Sequence, residues 1–241
     1  MNLIVDIGNT FVKLAVFSEK KTQFHTSLEK VDLKETLDQV NANYPKLQKG
    51  IVSSVGALEN MDSLFYNLNI PVLKLSHDLK LPFENLYKTP KSLGVDRIAL
   101  VSAATERFPG KNTLIIDCGT CITYDFLNSK NSYLGGAISP GLRLRYKSLN
   151  DFTANLPLLE TKWPDAIIGN STSNSIHSGI VYGVINEING AISQYKIQYP
   201  DLTIILTGGD SEFLSKQFKN GIFATSNFLL DGLNFLLEYN S

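Results

Sequence analysis

The stretch Leu3-Ile4-Val5-Asp6-Ile7-Gly8-Asn9-Thr10 has a counterpart later in the chain, Leu114-Ile115-Ile116-Asp117-Cys118-Gly119-Thr120. In both, a run of mostly branched apolar residues leads to an aspartate and then to a turn with glycine and a hydroxyl side chain. A second apolar stretch follows each turn, Phe11 to Phe17 and Ile122 to Leu127, so each unit is predicted to be a β-hairpin. The two aspartates lie 111 residues apart, and this repeat predicts a duplicated fold.

The composition of the two turns indicates phosphate binding. Glycine lets the backbone approach a ligand closely, and its free N–H groups can point at phosphate oxygens. Thr10 and Thr120 add hydroxyl donors, while Asp6 and Asp117 offer hard oxygens for a cation. Lys13 follows the first turn and is either a phosphate contact or a solvated strand residue. Together the turns predict a nucleoside triphosphate held between them.

The rest of the chain indicates an α/β protein. Its 241 residues, 43% hydrophobic and 19% charged, suit a well-buried core, and the repeat predicts two domains, 1–110 and 111–241. Strands and helices alternate after the first hairpin, which argues for sheets with helices on their faces. Helices are predicted over about 32–44, 58–68 and 179–197, and another opens within Ser92 to Arg97 and runs to about Phe108. A last apolar helix, Phe228 to Tyr239, is expected to pack on the second domain.

The charge balance gives no indication of a nucleic-acid or membrane partner. A net charge of −1 and a pI near 6.3 leave no electrostatic footprint for either. The N-terminus lacks the features of a signal peptide, and no apolar run approaches the ~20 residues of a spanning helix. We therefore expect a cytoplasmic protein.

Cys118 and Cys121 form a C-x-x-C pair that allows three interpretations. A redox pair is disfavoured because the cysteines sit in a strand-to-strand turn and not at a helix N-terminus. A zinc site is disfavoured because there is no second pair and the three histidines are scattered. The remaining interpretation is that both are small residues filling a tight turn.

Three further segments are candidates for binding. The loop from His77 to Leu93 contains Tyr87, which is either a surface aromatic or part of a small-molecule pocket. Asp96 follows, in or near the first turn of a predicted helix. It is either a structural carboxylate that the helix dipole favours or a catalytic carboxylate. Glycine-rich turns are predicted at 135–141 and 207–209, where an anion could bind. The polar segment 150–178 is predicted to be irregular.

In this order, the motifs resemble those of type III pantothenate kinases. They are Asp6 to Thr10, Gly94-Val95-Asp96-Arg97, Asp117 to Thr120 with Thr123 and Asp125, Gly135 to Gly141, and Thr207-Gly208-Gly209. The resemblance covers nearly the whole chain. It implies the acetate-kinase/sugar-kinase/Hsp70/actin superfamily, with two duplicated ribonuclease-H-like domains, mixed sheets flanked by helices, and an ATP cleft between the domains.

The resemblance also implies an activity and its residues. ATP would phosphorylate pantothenate to 4′-phosphopantothenate, the first step of coenzyme A synthesis, in a homodimer. Asp96 would be the general base, Asp117 the ligand of K⁺ or NH₄⁺, and Asp6 would lie near Mg²⁺. ATP would contact Asp6, Ile7, Gly8, Asn9, Thr10, Lys13 and Thr120. Pantothenate would contact Tyr87, Gly94, Val95, Asp96, Arg97 and Thr172, in a pocket at the subunit interface.

Three alternatives stay open on the sequence. Some relatives of these kinases are described as transcriptional accessory factors, but the neutral pI and the intact aspartates argue against a purely regulatory protein. Another small-molecule kinase of the superfamily is disfavoured by Gly94-Val95-Asp96-Arg97 and by the short chain. A non-catalytic ATP-binding switch would turn over ATP slowly without an added alcohol.

The sequence departs from the family pattern at two places. The family usually has small apolar residues at positions 118 and 121, where this chain has cysteines. The surroundings of Thr172 are unusually rich in Ser and Asn.

Overall fold

The computed structural model describes residues 1–54, 64–218 and 222–241 of the chain. Most of the helix predicted over 58–68 lies outside these residues, and a 3-10 turn covers Tyr66–Leu68 within them. The chain forms two compact units. The first contains Met1–Pro109, Asn131–Tyr133 and Asn227–Ser241, and the second contains Gly110–Lys130 and Leu134–Ser226. The predicted domain limits, 1–110 and 111–241, stay a prediction.

The first unit is built on a five-stranded mixed sheet in the order β3-β2-β1-β4-β5. The strands are β1 (Asn2–Ile7), β2 (Val12–Ser18), β3 (Lys21–Leu28), β4 (Lys49–Ser54) and β5 (Val72–Lys74). β2 runs antiparallel to β1 and to β3, while β4 runs parallel to β1 and to β5. A short strand, β6 (Glu84–Asn85), pairs with Ser132 and Tyr133. The antiparallel pairing of β1 with β2 confirms the predicted first hairpin.

Helices cover this sheet because side chains alternate between its faces. Leu3, Val5 and Ile7 of β1 pack with α1 (Leu33–Asn43), which matches the predicted helix over 32–44. Two further helices pack against each other and against the strands, α2 (Val95–Arg107) and α6 (Phe228–Tyr239). Helix α2 matches the helix predicted to open within Ser92 to Arg97 and to run to about Phe108.

The expectation that the last helix packs on the second domain was wrong. Helix α6 lies against α2, β1 and β4 in the first unit. At the crossing with α2, a Cβ on Gly232 would lie 1.9 Å from the carbonyl oxygen of Ala99. The apolar pattern predicted a packing face, but only this close fit between glycine and alanine selects the partner helix.

The second unit repeats the order of the first. Its strands are β7 (Thr113–Cys118), β8 (Cys121–Leu127), the part of β9 (Ser132–Pro140) that begins at Leu134, β10 (Thr203–Thr207) and β11 (Ile222–Ala224). Within this unit they lie in the order β11-β10-β7-β8-β9. β7 and β8 are antiparallel, whereas β10 is parallel to β7 and to β11. The predicted duplication and the α/β class with mixed sheets flanked by helices are confirmed.

Two predictions about this unit were wrong. The glycine-rich segment 135–141 is not a turn, since most of it belongs to β9. The backbone of β9 passes very close to β8 at this point, since a Cβ on Gly136 would lie 1.5 Å from the Tyr124 carbonyl oxygen. Glycine permits this close approach because it has no side chain. The predicted irregular segment 150–178 is also too long, because a helix starts at Thr172.

The helices of this unit are α3 (Leu142–Asp151), α4 (Thr172–Gln198) and α5 (Ser211–Ser215). Ser171 caps α4, with the Asn174 N–H donating to its hydroxyl at 3.2 Å. Apolar side chains of α4 such as Val184 and Ile188 join the core beside β7, β8 and β10. None of the helices in the described part of the chain combines the length and apolar character that crossing a membrane requires.

Candidate active site

The first hairpin turn spans residues 8–11, between β1 and β2. The Gly8 N–H donates to the Phe11 carbonyl oxygen at 3.0 Å, which closes the turn. A Cβ on Gly8 would lie at the same 3.0 Å from that oxygen, so the close turn favours glycine. Asn9 and Thr10 are exposed at the tip. The turn thus presents two polar side chains outward from a rigid strand pair.

Asp6 sits in a row of polar side chains across three strands. It pairs in register with Lys13 of β2 and with Ser53 of β4, so the three side chains share one face of the sheet. Burial raises the pKa of the Asp6 carboxyl from 3.8 to about 6. Lys13 and Ser53 act in the opposite direction, and the charge of Asp96 raises the pKa further. Asp6, Lys13 and Asp96 are therefore electrostatic neighbours.

Asp96 lies in the first turn of α2, where Gly94 is the N-cap residue. The Arg97 N–H donates to Asp96 Oδ1 at 2.8 Å and fixes the carboxylate. A Cβ on Gly94 would lie 2.4 Å from the same oxygen, so a side chain at position 94 would displace the carboxylate from this position. This contact gives a physical reason for the Gly94-Val95-Asp96-Arg97 motif.

Tyr87 and Arg97 also meet in the first unit. The guanidinium carbon of Arg97 lies 5.8 Å from the centroid of the Tyr87 ring, within cation–π range. The two ends of the loop from His77 to Leu93 are in contact, since His77 Nε2 lies 2.7 Å from the Leu93 carbonyl oxygen. The loop predicted over 77–93 therefore brings Tyr87 to the start of α2.

The second hairpin turn consists of Gly119 and Thr120. The Gly119 N–H donates to the Cys121 carbonyl oxygen at 3.0 Å, and the Thr120 carbonyl oxygen accepts from the Gly141 N–H at 3.0 Å. A Cβ on Gly141 would lie 2.1 Å from the Gly119 carbonyl oxygen. The turn is therefore supported by the start of α3, with the Thr120 residue exposed.

Asp117 is the last residue but one of β7 and pairs with Thr123 of β8. Gly208 has φ +95° and comes so close that a Cβ there would lie 2.4 Å from Asp117 Oδ1 and 2.4 Å from the Cys118 carbonyl oxygen. The Asp210 N–H donates to that carbonyl oxygen at 2.9 Å. Burial raises the pKa of Asp210, and Arg143 opposes the shift. Oxygen atoms thus gather around the end of β7.

The cysteines lie on different faces of the hairpin. Cys118 pairs with Ile122 and is buried with it, whereas Cys121 is exposed, and both are free thiols. Burial raises the pKa of the Cys118 thiol, so it is not an activated thiolate. Among the described residues no cluster of three or more His, Cys, Asp or Glu could hold a metal. Both cysteines belong to the strands that flank the two-residue turn, and their interpretation as small residues filling a tight turn stays a prediction.

The oxygen donors fit the cations of a nucleotide enzyme. Mg²⁺ usually keeps several waters and is held by one or two carboxylates together with substrate phosphates. Asp6, with Asp96 nearby, matches that mode without a larger cluster. A monovalent cation takes carboxylate and carbonyl oxygens, which the Asp117 and Cys118 end of β7 provides.

The structure places the predicted site residues in both units. Asp6 to Thr10, Lys13, Tyr87 and Gly94 to Arg97 belong to the first, and Asp117, Thr120 and Thr172 belong to the second. Thr172 is the exposed first residue of α4.

Sequence reasoning missed two groups. The first is Ser53, for which the Ser-Ser pair at the end of a predicted strand was a weak signal. The second is a network in which the Arg145 guanidinium donates to Ser139 Oγ and to Glu187, while the Tyr124 hydroxyl donates to Glu187 at 2.9 Å. Its members are distant in sequence, so no local pattern indicated it.

Comparisons with known proteins identify one family. The family model of type III pantothenate kinase matches residues 2–194. A type III pantothenate kinase from Christiangramia forsetii is 50% identical over 240 residues, covering 100% of this chain and 99% of the relative.

Solved structures share the fold at lower identity. A conserved protein assigned to the Baf family of transcriptional activators, from Campylobacter jejuni, has a TM-score of 0.63 at 22% identity, with 99% and 98% of the two chains covered. The activator of 2-hydroxyisocaproyl-CoA dehydratase from Clostridium difficile, solved with ADPNP, has a TM-score of 0.57 at 10% identity, with 99% and 93% covered. The family model and the relative that matches over its full length decide the assignment: the chain belongs to the type III pantothenate kinase family.

Proposed function

We propose that this protein transfers the terminal phosphoryl group of ATP to the hydroxyl of pantothenate, giving 4′-phosphopantothenate and ADP in coenzyme A synthesis. One observation carries the proposal beyond family membership. The Asp96 carboxylate is fixed over Gly94 at the start of α2, and it is an electrostatic neighbour of Asp6 and its Lys13 partner. A base for an alcohol and a charged phosphate-binding group are thus neighbours in one unit.

Asp96 acts as the general base. The transition state of phosphoryl transfer is loose, so positioning and charge stabilisation matter more than a strong base. A carboxylate therefore suffices to orient the pantothenate hydroxyl and to accept its proton late in the reaction. The Arg97 N–H holds Oδ1 at 2.8 Å, which fixes the carboxylate for this task.

The first hairpin turn binds phosphate oxygens. We assign this role to Asp6, Ile7, Gly8, Asn9 and Thr10, with Lys13 adding a positive charge, and we assign Thr120 to ATP as well. Asp6 would hold Mg²⁺, which supplies charge neutralisation on the phosphates when bound. Asp117 would hold K⁺ or NH₄⁺ with carbonyl oxygens near the end of β7.

We assign pantothenate binding to a site at the subunit interface of a homodimer, formed by Tyr87, Gly94, Val95, Asp96, Arg97 and Thr172. Support for a dimer comes from apolar side chains of the second unit that are exposed in the single chain. Phe152 and Ile168 are 86% and 83% exposed. Others in the same part of the chain are Ile138, Leu158 and Ile167. We assign these side chains to the dimer surface, since contiguous exposed apolar patches mark interaction sites.

The experiment is an ADP-release assay with and without pantothenate, run on the wild type and on Asp96→Asn. We expect pantothenate-dependent ADP release from the wild type and a kcat about 10²-fold lower in the variant, with little change in ATP binding. Glu35→Gln is the matched control, because Glu35 is the first-turn carboxylate of α1 and is exposed. Near-normal turnover in Asp96→Asn would remove this residue from its role.

The monovalent cation needs its own test. Asp117→Ala should lose activation by K⁺, whereas Asp201→Ala should keep it, because Asp201 lies before β10 and accepts a hydrogen bond from the Asn112 side chain at 3.0 Å. An unchanged K⁺ dependence in Asp117→Ala would reject the proposed cation site.

The identity to curated pantothenate kinases disfavours the alternative of a transcriptional accessory factor. ADP release without any acceptor, or no release at all, would favour an ATP-dependent switch or another kinase. The cytoplasmic location and the absence of nucleic-acid and membrane partners stay predictions.

A further inference from the structure

Ser53 is the third member of the polar row that contains Asp6. It lies in register with Asp6 on the neighbouring strand β4, one residue before the strand's carboxyl end. Lys13 occupies the matching position on the other side of Asp6. Side chains in register on adjacent strands are neighbours on one face. The Asp6 carboxyl therefore has an ammonium on one side and a hydroxyl on the other.

The Ser53 hydroxyl is buried and lacks a full hydrogen bond. The residue is 0% exposed, and its Oγ makes no hydrogen bond of standard geometry with any described residue. It is close enough to the Asp6 carboxyl for a hydrogen-bonding interaction, which lowers the pKa of that group. A buried hydroxyl whose hydrogen bond is incomplete is unfavourable, and native proteins retain few of them. A catalytic hydrogen bond that is long in the free enzyme often tightens when the ligand binds.

The neighbouring groups indicate that the Asp6 carboxyl accepts the hydrogen bond of the Ser53 hydroxyl. Asp6 is itself buried, at 7% exposed, and the charges that act on it come from Lys13 on β2 and Asp96 on α2. Lys13 can attract one carboxylate oxygen, and a hydroxyl donor on the opposite strand can hold the other. Partners of this kind orient a metal-binding carboxylate, and removing them typically lowers metal affinity 10- to 100-fold.

We propose that Ser53 is a positioning residue for the Asp6 carboxylate, donating a hydrogen bond that orients it towards the divalent cation bound with ATP. The proposal rests on the proposed function, because it takes Asp6 as the group that meets the nucleotide and its cation. Ser53 touches neither substrate and acts through Asp6 alone.

The test measures binding of a non-hydrolysable ATP analogue by calorimetry, with Mg²⁺ and with EDTA, to the full chain. In Ser53→Ala we expect analogue affinity to fall at least tenfold with Mg²⁺ and to stay within threefold of the wild type with EDTA. The KM for ATP in the pantothenate assay should rise by a similar factor. Thermal stability should stay at the wild-type value or increase, because the lost hydroxyl had no full partner.

Two further variants separate positioning from packing. Ser53→Thr retains the hydroxyl and should bind the analogue with Mg²⁺ within threefold of the wild type. Ser102→Ala removes another fully buried serine hydroxyl of the same unit, one that donates to the Ile98 carbonyl oxygen at 2.8 Å inside α2. It should lose some stability but keep the Mg²⁺-dependent affinity.

The outcomes are distinguishable from a failure of the proposed function. Wild-type affinity in Ser53→Ala, an equal loss with EDTA, or the same loss in Ser102→Ala would each overturn the role of Ser53. A wild type that releases no ADP with pantothenate would overturn the proposed function instead. The Mg²⁺-dependent difference in analogue binding would still decide the role of Ser53.

Discussion

The two hairpin turns share a sequence pattern but differ in how each is supported. The first turn spans four residues, 8–11, and closes on itself through the hydrogen bond from Gly8 to Phe11. The second has only Gly119 and Thr120 between its strands, and other segments press against it. Gly141 bonds to the Thr120 carbonyl oxygen, and Gly208 crowds Asp117.

The aspartates before the two turns also differ in their neighbours. Asp6 is paired across β2 with Lys13, whereas Asp117 is paired across β8 with Thr123. A carboxylate beside an ammonium and a second carboxylate suits a site where phosphate and a divalent cation add charge. A carboxylate among backbone oxygens suits a single positive charge. Duplication thus supplied two similar frames, and the residue across the strand gives each aspartate a different environment.

The largest expected effect breaks the support of the second turn. Gly141→Ala places a Cβ 2.1 Å from the Gly119 carbonyl oxygen and 2.6 Å from that of Thr120. Backbone atoms cannot move away easily, so we expect a loss of about 4 kcal/mol or more in stability, or an at least 100-fold loss in kcat/KM for ATP.

Denaturant unfolding and the ADP-release assay measure these losses. Gly190→Ala is the matched control, because nothing lies within 4 Å of its added Cβ on α4. It should stabilise the protein by about 0.5–1 kcal/mol. A Gly141→Ala variant as stable and active as this control would show that the second turn needs no support from α3.

An intermediate effect tests the charge of the first hairpin. Because the pKa of Asp6 is about 6 in the folded protein against 3.8 ordinarily, ionising it opposes folding. Stability should fall as pH rises from about 4 to about 6, on the order of 3 kcal/mol from this group. Above pH 6 the full penalty is present, and below pH 4 it is absent.

Asp6→Asn removes this penalty. In Mg²⁺-free buffer the variant should be more stable than the wild type at pH 7.5 and equal to it near pH 4, although it no longer uses ATP well. Chemical unfolding across this pH range measures the difference. A constant difference between the two proteins at all pH values would contradict the burial of an ionisable Asp6.

The smallest effect compares the two cysteines of the second turn. Cys118 occupies the place that Ile7 has in the first hairpin, and both are 1% exposed. Cys118→Ser should therefore cost about 1–3 kcal/mol, because it buries a hydroxyl in an apolar site. Cys121 is exposed, so Cys121→Ser should change stability by less than about 0.5 kcal/mol. Equal effects in urea unfolding would mean that the two sides of the turn are packed alike.

The sequence predicted local features well. The apolar runs ending in Asp6 and Asp117 predicted both hairpins, because burial requires such residues on neighbouring strands. The start of α2 at Val95 lies within the predicted opening segment Ser92 to Arg97, since Gly94 and Asp96 carry ordinary helix-start chemistry. The strand β9 was missed because Gly135 and Gly136 are poor strand formers, and only the close approach to Tyr124 makes glycine suitable there.

The amino-acid sequence by itself determined the repeated strand-turn-strand unit and the family motifs, because these depend on residues close together in the chain. Only the tertiary structure decided which residues lie next to these units and motifs. It placed α6 against α2, set Lys13 and Ser53 on either side of Asp6, and brought Gly208 against Asp117. The reason is physical: strand register and close backbone approach join residues that no local pattern relates.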